Sequence, residues 1–168
     1  MCIDNMLAAV YASTIVKIIL FQGGVMFKHI MVTLDGSKIA EESIPVAIGM
    51  SKKMEAKVVL LQVVEVFSLL KADKEAEEKA LKNTAQEYLN SIKSKIEKEG
   101  IQTDIAILTG KSSVEICNYA KQSGVDLIIM TAHGRSGLTG WAVGSVSEKV
   151  VRHACKPVLL LRSTLKEE

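Results

Sequence analysis

Aromatic residues are scarce in this chain of 168 residues, where Phe, Trp and Tyr together make up 4%. So few rings leave little to stack successive bases of a single-stranded nucleic acid. An excess of one charge is also missing, because 21 Lys and Arg face 19 Asp and Glu, for a formal net charge of +2. Without a strong positive field we expect no nucleic-acid partner.

Cysteine is sparse as well. The chain has three, Cys2, Cys117 and Cys155, widely spaced and with no CxxC pair. An odd and scattered set predicts neither a disulfide framework nor a zinc site. Free cysteines fit a reducing compartment, so we expect a cytoplasmic protein.

No hydrophobic run reaches the length of a membrane span. The most apolar stretch covers residues 6–21 and contains Lys17, whereas a spanning helix needs about 20 apolar residues. Asp4 precedes it, where a secretory signal would carry basic residues. A glycine pair then leads to Met26, so we interpret residues 1–25 as an extension from an upstream start or an appended sequence. The alternative is an amphipathic element that packs on the domain or on a partner subunit.

The remaining residues, 26–168, have the length and apolar content of one globular domain, since 48% of the chain is hydrophobic. Short apolar runs alternate with helical patterns, which predicts βα units on a parallel sheet. Three of the runs are almost continuously Val, Leu and Ile, as in strands covered by helices on both faces. We predict strands at residues 28–34, 57–64, 103–108, 126–131 and 157–161, and helices at 38–54, 71–99, 113–122 and 145–154.

Ligands of open parallel sheets bind beyond the carboxyl ends of the strands. The first strand ends there with Leu34, Asp35, Gly36 and Ser37. Asp35 has two interpretations. It caps the next helix, or it accepts hydrogen bonds from ribose hydroxyls or an adenine amino group.

The fourth strand leads into a glycine-rich loop, TAHGRSGLTGWAVGSVS, at residues 131–147. Bare glycine amides can approach an anion closely. Gly144 and Ser145 then open a helix, whose N-terminal amides favour a phosphate. The alternative is a capping box from Ser145 to Glu148 that satisfies the same amides internally.

The segments MFKHIMVTLDGS (26–37) and HGRSGLTGWAVGSVSEKVVRHACKPVLLLR (133–162) resemble the universal stress protein family, and the resemblance extends over residues 26–162. It implies an open, doubly wound α/β sheet of the Rossmann-like, adenine nucleotide alpha hydrolase-like type, with strand order 3-2-1-4-5. Members that bind ATP carry G-x2-G-x9-G-[S/T], which falls here on Thr131, Gly134, Gly144 and Ser145. Thr131 replaces the first glycine, and its β-branched side chain disfavours a left-handed backbone and fills space near a ribose or phosphate.

The resemblance implies an ATP site, with or without Mg²⁺. Arg135 is a further candidate from the residues themselves, either as a mobile phosphate contact or as a solvent-facing side chain. The resemblance places residues in three groups: Asp35 and the Val63 backbone near adenine or ribose, with Met130 beside the nucleoside; Gly134, Gly144, Ser145, Val146 and Ser147 around the phosphates; and Thr33 and Gly110 lining the same cleft.

Two functions remain open. In the first, a stress-response module binds ATP, which orders residues 132–144 into a surface that a partner protein recognises. In the second, the domain binds no nucleotide and serves as a dimeric interaction scaffold. The resemblance implies a homodimer through the last strand, Pro157 to Leu161. The sequence presents no general base, nucleophile or paired carboxylates, so we assign no catalytic residue and expect any ATP hydrolysis to be slow.

Overall fold

A computed structural model describes residues 27–68, 70–132 and 144–163. The predicted extension at residues 1–25 lies outside this part of the chain. Within it, strands and helices alternate: β1 (His29–Leu34), α1 (Lys38–Glu41), α2 (Ser43–Met54), β2 (Lys57–Val64), α3 (Lys71–Glu97), β3 (Thr103–Thr109), α4 (Ser112–Gln122), β4 (Leu127–Thr131), α5 (Ser145–His153) and β5 (Val158–Leu161).

The five strands form one parallel sheet in the order β3-β2-β1-β4-β5. This order confirms the predicted fold class. The chain moves outward from β1 to β3 and then crosses to the other side for β4 and β5. The switch lies between β1 and β4, the position at which a cleft opens beyond the carboxyl ends of the strands in folds of this type.

Apolar side chains alternate between the two faces of the sheet, and helices cover both. On one face, Ile30 and Val32 pack with Leu89 of α3 in a core that also includes residues of α1 and α2. On the other face, Met31 packs with Ile116 of α4 and Val150 of α5. Burial on both sides explains why the strands are nearly continuous in Val, Leu and Ile.

The helix predicted over residues 38–54 is interrupted after Glu41. Pro45 explains the break, because a proline ring within a helix clashes with the carbonyl four residues earlier. Other boundaries differ by one or two residues, as at the end of α3. Val114, which the helical pattern predicts to face inward, is 46% exposed. In the part of the chain that the structure describes, none of the helices has the length and apolarity needed to cross a bilayer.

Candidate functional site

A cavity of about 580 Å³ lies at the carboxyl ends of β1, β2 and β4. This volume is typical of sites for small molecules and cofactors. Most of the predicted site residues line it together: Thr33, Asp35, Val63, Met130, Thr131, Gly144, Ser145, Val146 and Ser147.

The other predicted site residues are not part of the described wall. Gly110 is absent from the cavity lining, and its N–H donates to the carbonyl of Val64 at 3.1 Å, extending the pairing of β2 with β3. Its φ of +146° is one that side chains rarely adopt. Gly134 and Arg135 lie outside the described residues.

At the start of α1, the helix cap is Ser37 and not Asp35. The Ser37 hydroxyl accepts from the N–H of Ala40 at 3.1 Å. It also donates to Oδ1 of Asp35 at 2.6 Å, and the same carboxylate oxygen accepts from the Ser37 N–H at 3.0 Å. Asp35 therefore supports the cap from the cavity wall but does not cap the helix itself, and its predicted contact with a ribose or an adenine stays a prediction.

The start of α4 also carries a carboxylate. Oε1 of Glu65, in the loop after β2, accepts from the N–H of Ser112 at 2.7 Å and from its hydroxyl at 2.8 Å. These bonds, the backbone bond first, hold the pKa of Glu65 below its ordinary value. A negative charge of the protein itself therefore occupies the N-terminus of α4.

The start of α5 is different, and the predicted capping box is wrong. Gly144 is the N-cap and offers no side chain, so Ser145 is already the first helical residue. The Ser147 hydroxyl donates to the carbonyls of Ala132 at 2.7 Å and Gly144 at 2.9 Å. Glu148 pairs with Arg152 at 2.9 Å. No side chain of the described residues caps the first turn of α5, which faces the cavity.

Gly144 holds this helix start against the end of β4. Its N–H donates to the Ala132 carbonyl at 2.8 Å, and a Cβ at position 144 would lie 2.8 Å from that same oxygen. No ordinary Cβ contact is so short. The glycine is therefore required by close packing, since its φ of −62° is open to any residue.

Thr131 is the last residue of β4 and pairs in register with Leu161 of β5. It is only 6% exposed and lines the cavity. Among the described residues other than glycine, only Glu55 has a positive φ. The backbone at the first motif position therefore does not need the freedom of a glycine, and the remaining effect of Thr131 is the volume of its side chain.

Other cavity residues were not predicted as part of the site, among them Gln62, Glu65, Phe67 and Tyr88. Gln62 is 7% exposed, and its Oε1 has no partner in the described structure. Burial first, then the nearby carboxylates, raises the pKa of Tyr88, so its hydroxyl stays neutral. Gln62 interrupts the apolar run KVVLLQVV, a signal that could have revealed it. The others have no local signal, because tertiary packing brings them to the cavity.

The sequence profile of the universal stress protein family matches residues 26–162, nearly the whole described domain. The chain belongs to the universal stress protein family. It is 33% identical over 157 residues to the universal stress protein MJ0531 of Methanocaldococcus jannaschii, covering 91% of this chain and 92% of that protein.

Solved structures of universal stress proteins agree with the fold. The structure of MJ0577, also from Methanocaldococcus jannaschii, superposes with a TM-score of 0.74 at 28% identity, over 83% of this chain and 99% of that one. A universal stress protein of Arabidopsis thaliana with AMP bound superposes with a TM-score of 0.62. The Arabidopsis protein is 21% identical to this chain, and the superposition covers 82% of this chain and 92% of the Arabidopsis chain. At this identity the likeness establishes the fold alone.

The described residues of this universal stress protein contain no group of three or more His, Cys, Asp and Glu side chains that could hold a metal ion.

Proposed function

We propose that this universal stress protein binds an adenine nucleotide in the cavity, with its phosphates at the N-terminus of α5. The observation that carries the proposal is the uncapped first turn of α5. α1 has the Ser37 cap supported by Asp35, and α4 has Glu65, whereas no described side chain caps α5. Free helix amides attract a phosphate through hydrogen bonds and through the helix dipole together.

The arrangement of the wall supports an order for the ligand. Asp35, Val63 and Met130 line the part of the cavity formed by strand ends, where the nucleoside would lie, and Gly144 to Ser147 line the part formed by α5. Gly134 and Arg135 would approach the phosphates from the segment between β4 and α5. Thr33 and Thr131 complete the nucleoside wall. AMP in the Arabidopsis relative supports an adenine ligand.

Within that class we propose ATP, accompanied by Mg²⁺ on its phosphates. Contacts between the triphosphate and residues 132–144 would change the surface of this segment, and a partner protein in a cytoplasmic stress response would recognise that change. The function is binding and signalling, with no catalytic residue assigned.

Isothermal titration of the full chain tests this proposal. ATP, ADP and AMP are titrated with and without Mg²⁺ into protein at high micromolar concentration, and tripolyphosphate is titrated separately. We expect saturable heat with the nucleotides and competition by tripolyphosphate. An absence of heat with every adenine nucleotide would contradict the proposal.

A second candidate is the dimeric scaffold that binds no nucleotide. Two observations favour it: the Thr131 side chain is buried in the cavity wall, and β5 lies at the edge of the sheet with its four residues only partly buried. An apolar edge strand gains from pairing with a second copy. Thr131→Gly separates the candidates, because ATP binding that appears in the variant and not in the parent would favour the scaffold. Sedimentation equilibrium tests the homodimer through Pro157 to Leu161.

A further inference from the structure

Phe67 lies in the loop between β2 and α3 and combines two properties. It lines the cavity, and 77% of its surface is exposed. The ring therefore stands at the open mouth of the cavity and not in its floor. Leu70, in the same loop, is similarly exposed at 69% but does not line the cavity.

The backbone that carries Phe67 is held in place. The N–H of Phe67 donates to Oε1 of Glu77 on α3 at 3.3 Å, and the N–H of Ser68 donates to Oε2 of the same carboxylate at 3.0 Å. The Ser68 hydroxyl also bonds to Glu77, and this bond first, then the Phe67 amide, lowers the pKa of Glu77. The carboxylate is thus ionised at neutral pH and accepts strongly.

Two residues before Phe67, Glu65 is anchored to the start of α4 by its two bonds with Ser112. The segment from Glu65 to Ser68 is therefore attached on both sides, to α4 and to α3. The backbone that carries the ring is therefore already in place at the mouth of the cavity before a ligand binds, and pre-ordering reduces the entropic cost of a contact.

We propose that Phe67 stacks on the base of the bound nucleotide and forms the outer wall of the base site. This inference rests on the proposed function, which puts the base near Val63, four residues before Phe67, at the end of β2 and in the same wall. Aromatic rings recognise the flat face of a heteroaromatic base. Because every base has such a face, the contact strengthens binding of nucleosides and nucleotides as a class and adds nothing for a free phosphate chain.

Titration of the full chain with AMP, ATP and tripolyphosphate tests the inference in Phe67→Ala, Phe67→Trp and Leu70→Ala. We expect Phe67→Ala to weaken AMP and ATP binding about tenfold, within the range for loss of one base-stacking ring. Tripolyphosphate binding should be unchanged. Leu70→Ala is the matched control, with similar exposure in the same loop, and should bind like the parent. Phe67→Trp should retain affinity and show nucleotide-dependent quenching beyond the signal of Trp141, the single tryptophan of the parent.

Equal AMP affinity in the parent and Phe67→Ala would overturn the inference and leave the proposed function standing. Equal losses in Phe67→Ala and Leu70→Ala, or an equal loss for tripolyphosphate, would also overturn it, because the effect would then not come from stacking. A parent that binds tripolyphosphate but no adenine nucleotide would instead contradict the proposed function, and stacking with it.

Discussion

The N-termini of α4 and α5 face the same cavity. They differ in whether a described side chain accepts hydrogen bonds from the first backbone amides of the helix. At α4, the Glu65 carboxylate accepts from Ser112, 47 residues further along the chain. At α5, Gly144 supplies no side chain, and the Ser147 hydroxyl is directed to carbonyl oxygens. Under the proposed function these similar helix ends have different roles. The α4 end, where Glu65 accepts from the first amide, serves stability, whereas the α5 end, which no described side chain caps, would keep its binding capacity for a ligand.

Gly144→Ala should have the largest effect, because it disturbs the start of α5. The new methyl group would lie 2.8 Å from the Ala132 carbonyl oxygen, so the start of α5 must move away from β4. We expect a loss of about 1–3 kcal/mol in the free energy of unfolding, as for overpacked sites, and nucleotide affinity reduced more than in any other variant. Urea unfolding and isothermal titration measure the two effects.

Gly49→Ala is the matched control for that variant. Gly49 lies within α2, and a Cβ there would meet nothing within 4 Å. Alanine favours a helix interior by about 0.5–1 kcal/mol over glycine, so this variant should be more stable and should bind normally. If Gly144→Ala behaved in the same way, the close contact with β4 would have no importance for the site.

Ser145→Asp should convert α5 into a helix end like that of α4. Ser145 is exposed in the first turn, where a carboxylate interacts favourably with the helix dipole by about 0.3–1 kcal/mol. The same charge would repel a phosphate. We therefore expect opposite effects: a higher free energy of unfolding, and nucleotide affinity lower by about tenfold or more.

Ser145→Asn controls for size without charge in that experiment. It should leave stability and affinity within a factor of a few of the parent. If Ser145→Asp bound nucleotide as tightly as Ser145→Asn does, the phosphates could not lie at this helix end.

Glu65→Gln tests the N-terminus of α4, where the protein supplies its own carboxylate. At neutral pH we expect a loss of about 1 kcal/mol in the free energy of unfolding, because a charged acceptor is replaced by a neutral one. The pKa of Glu65 lies below its ordinary value of 4.5, so its contribution is complete above that value and disappears as the pH falls through the folded-state pKa. The difference between parent and variant should therefore shrink during acid titration. Urea unfolding between pH 7 and pH 3 measures it, and a difference that stayed constant would show that the charge is unimportant.

The sequence predicts the sheet and the α5 end of the cavity because their signals are local. Apolar runs mark the strands, and the spacing of Gly144 and Ser145 marks the end of the cavity that we propose for the phosphates. Glu65 and Phe67 could not be predicted from local sequence. Their positions depend on hydrogen bonds to other elements, from Glu65 to Ser112 of α4 and from Phe67 to Glu77 of α3. The capping-box pattern is misleading for a related reason. Ser145 and Glu148 have the spacing of the pattern, but close packing against Ala132 makes Gly144 the N-cap, so Ser145 is already inside the helix and Glu148 pairs with Arg152.

The smallest expected effect is the stabilisation by inorganic phosphate, an anion that carries no base. It distinguishes the two helix ends. Inorganic phosphate at a concentration equal to its dissociation constant should stabilise the parent by about 0.4 kcal/mol through binding to the folded state. Phosphate also stabilises proteins generally by exclusion from their surface, so the informative quantity is the difference between variants. Glu65→Gln, whose α5 is intact, should keep at least the full gain, whereas Ser145→Asp should keep only the general part. Equal gains in the parent and Ser145→Asp, measured by urea unfolding, would mean that α5 holds no anion, and the contrast between the two helix ends would then be one of packing alone.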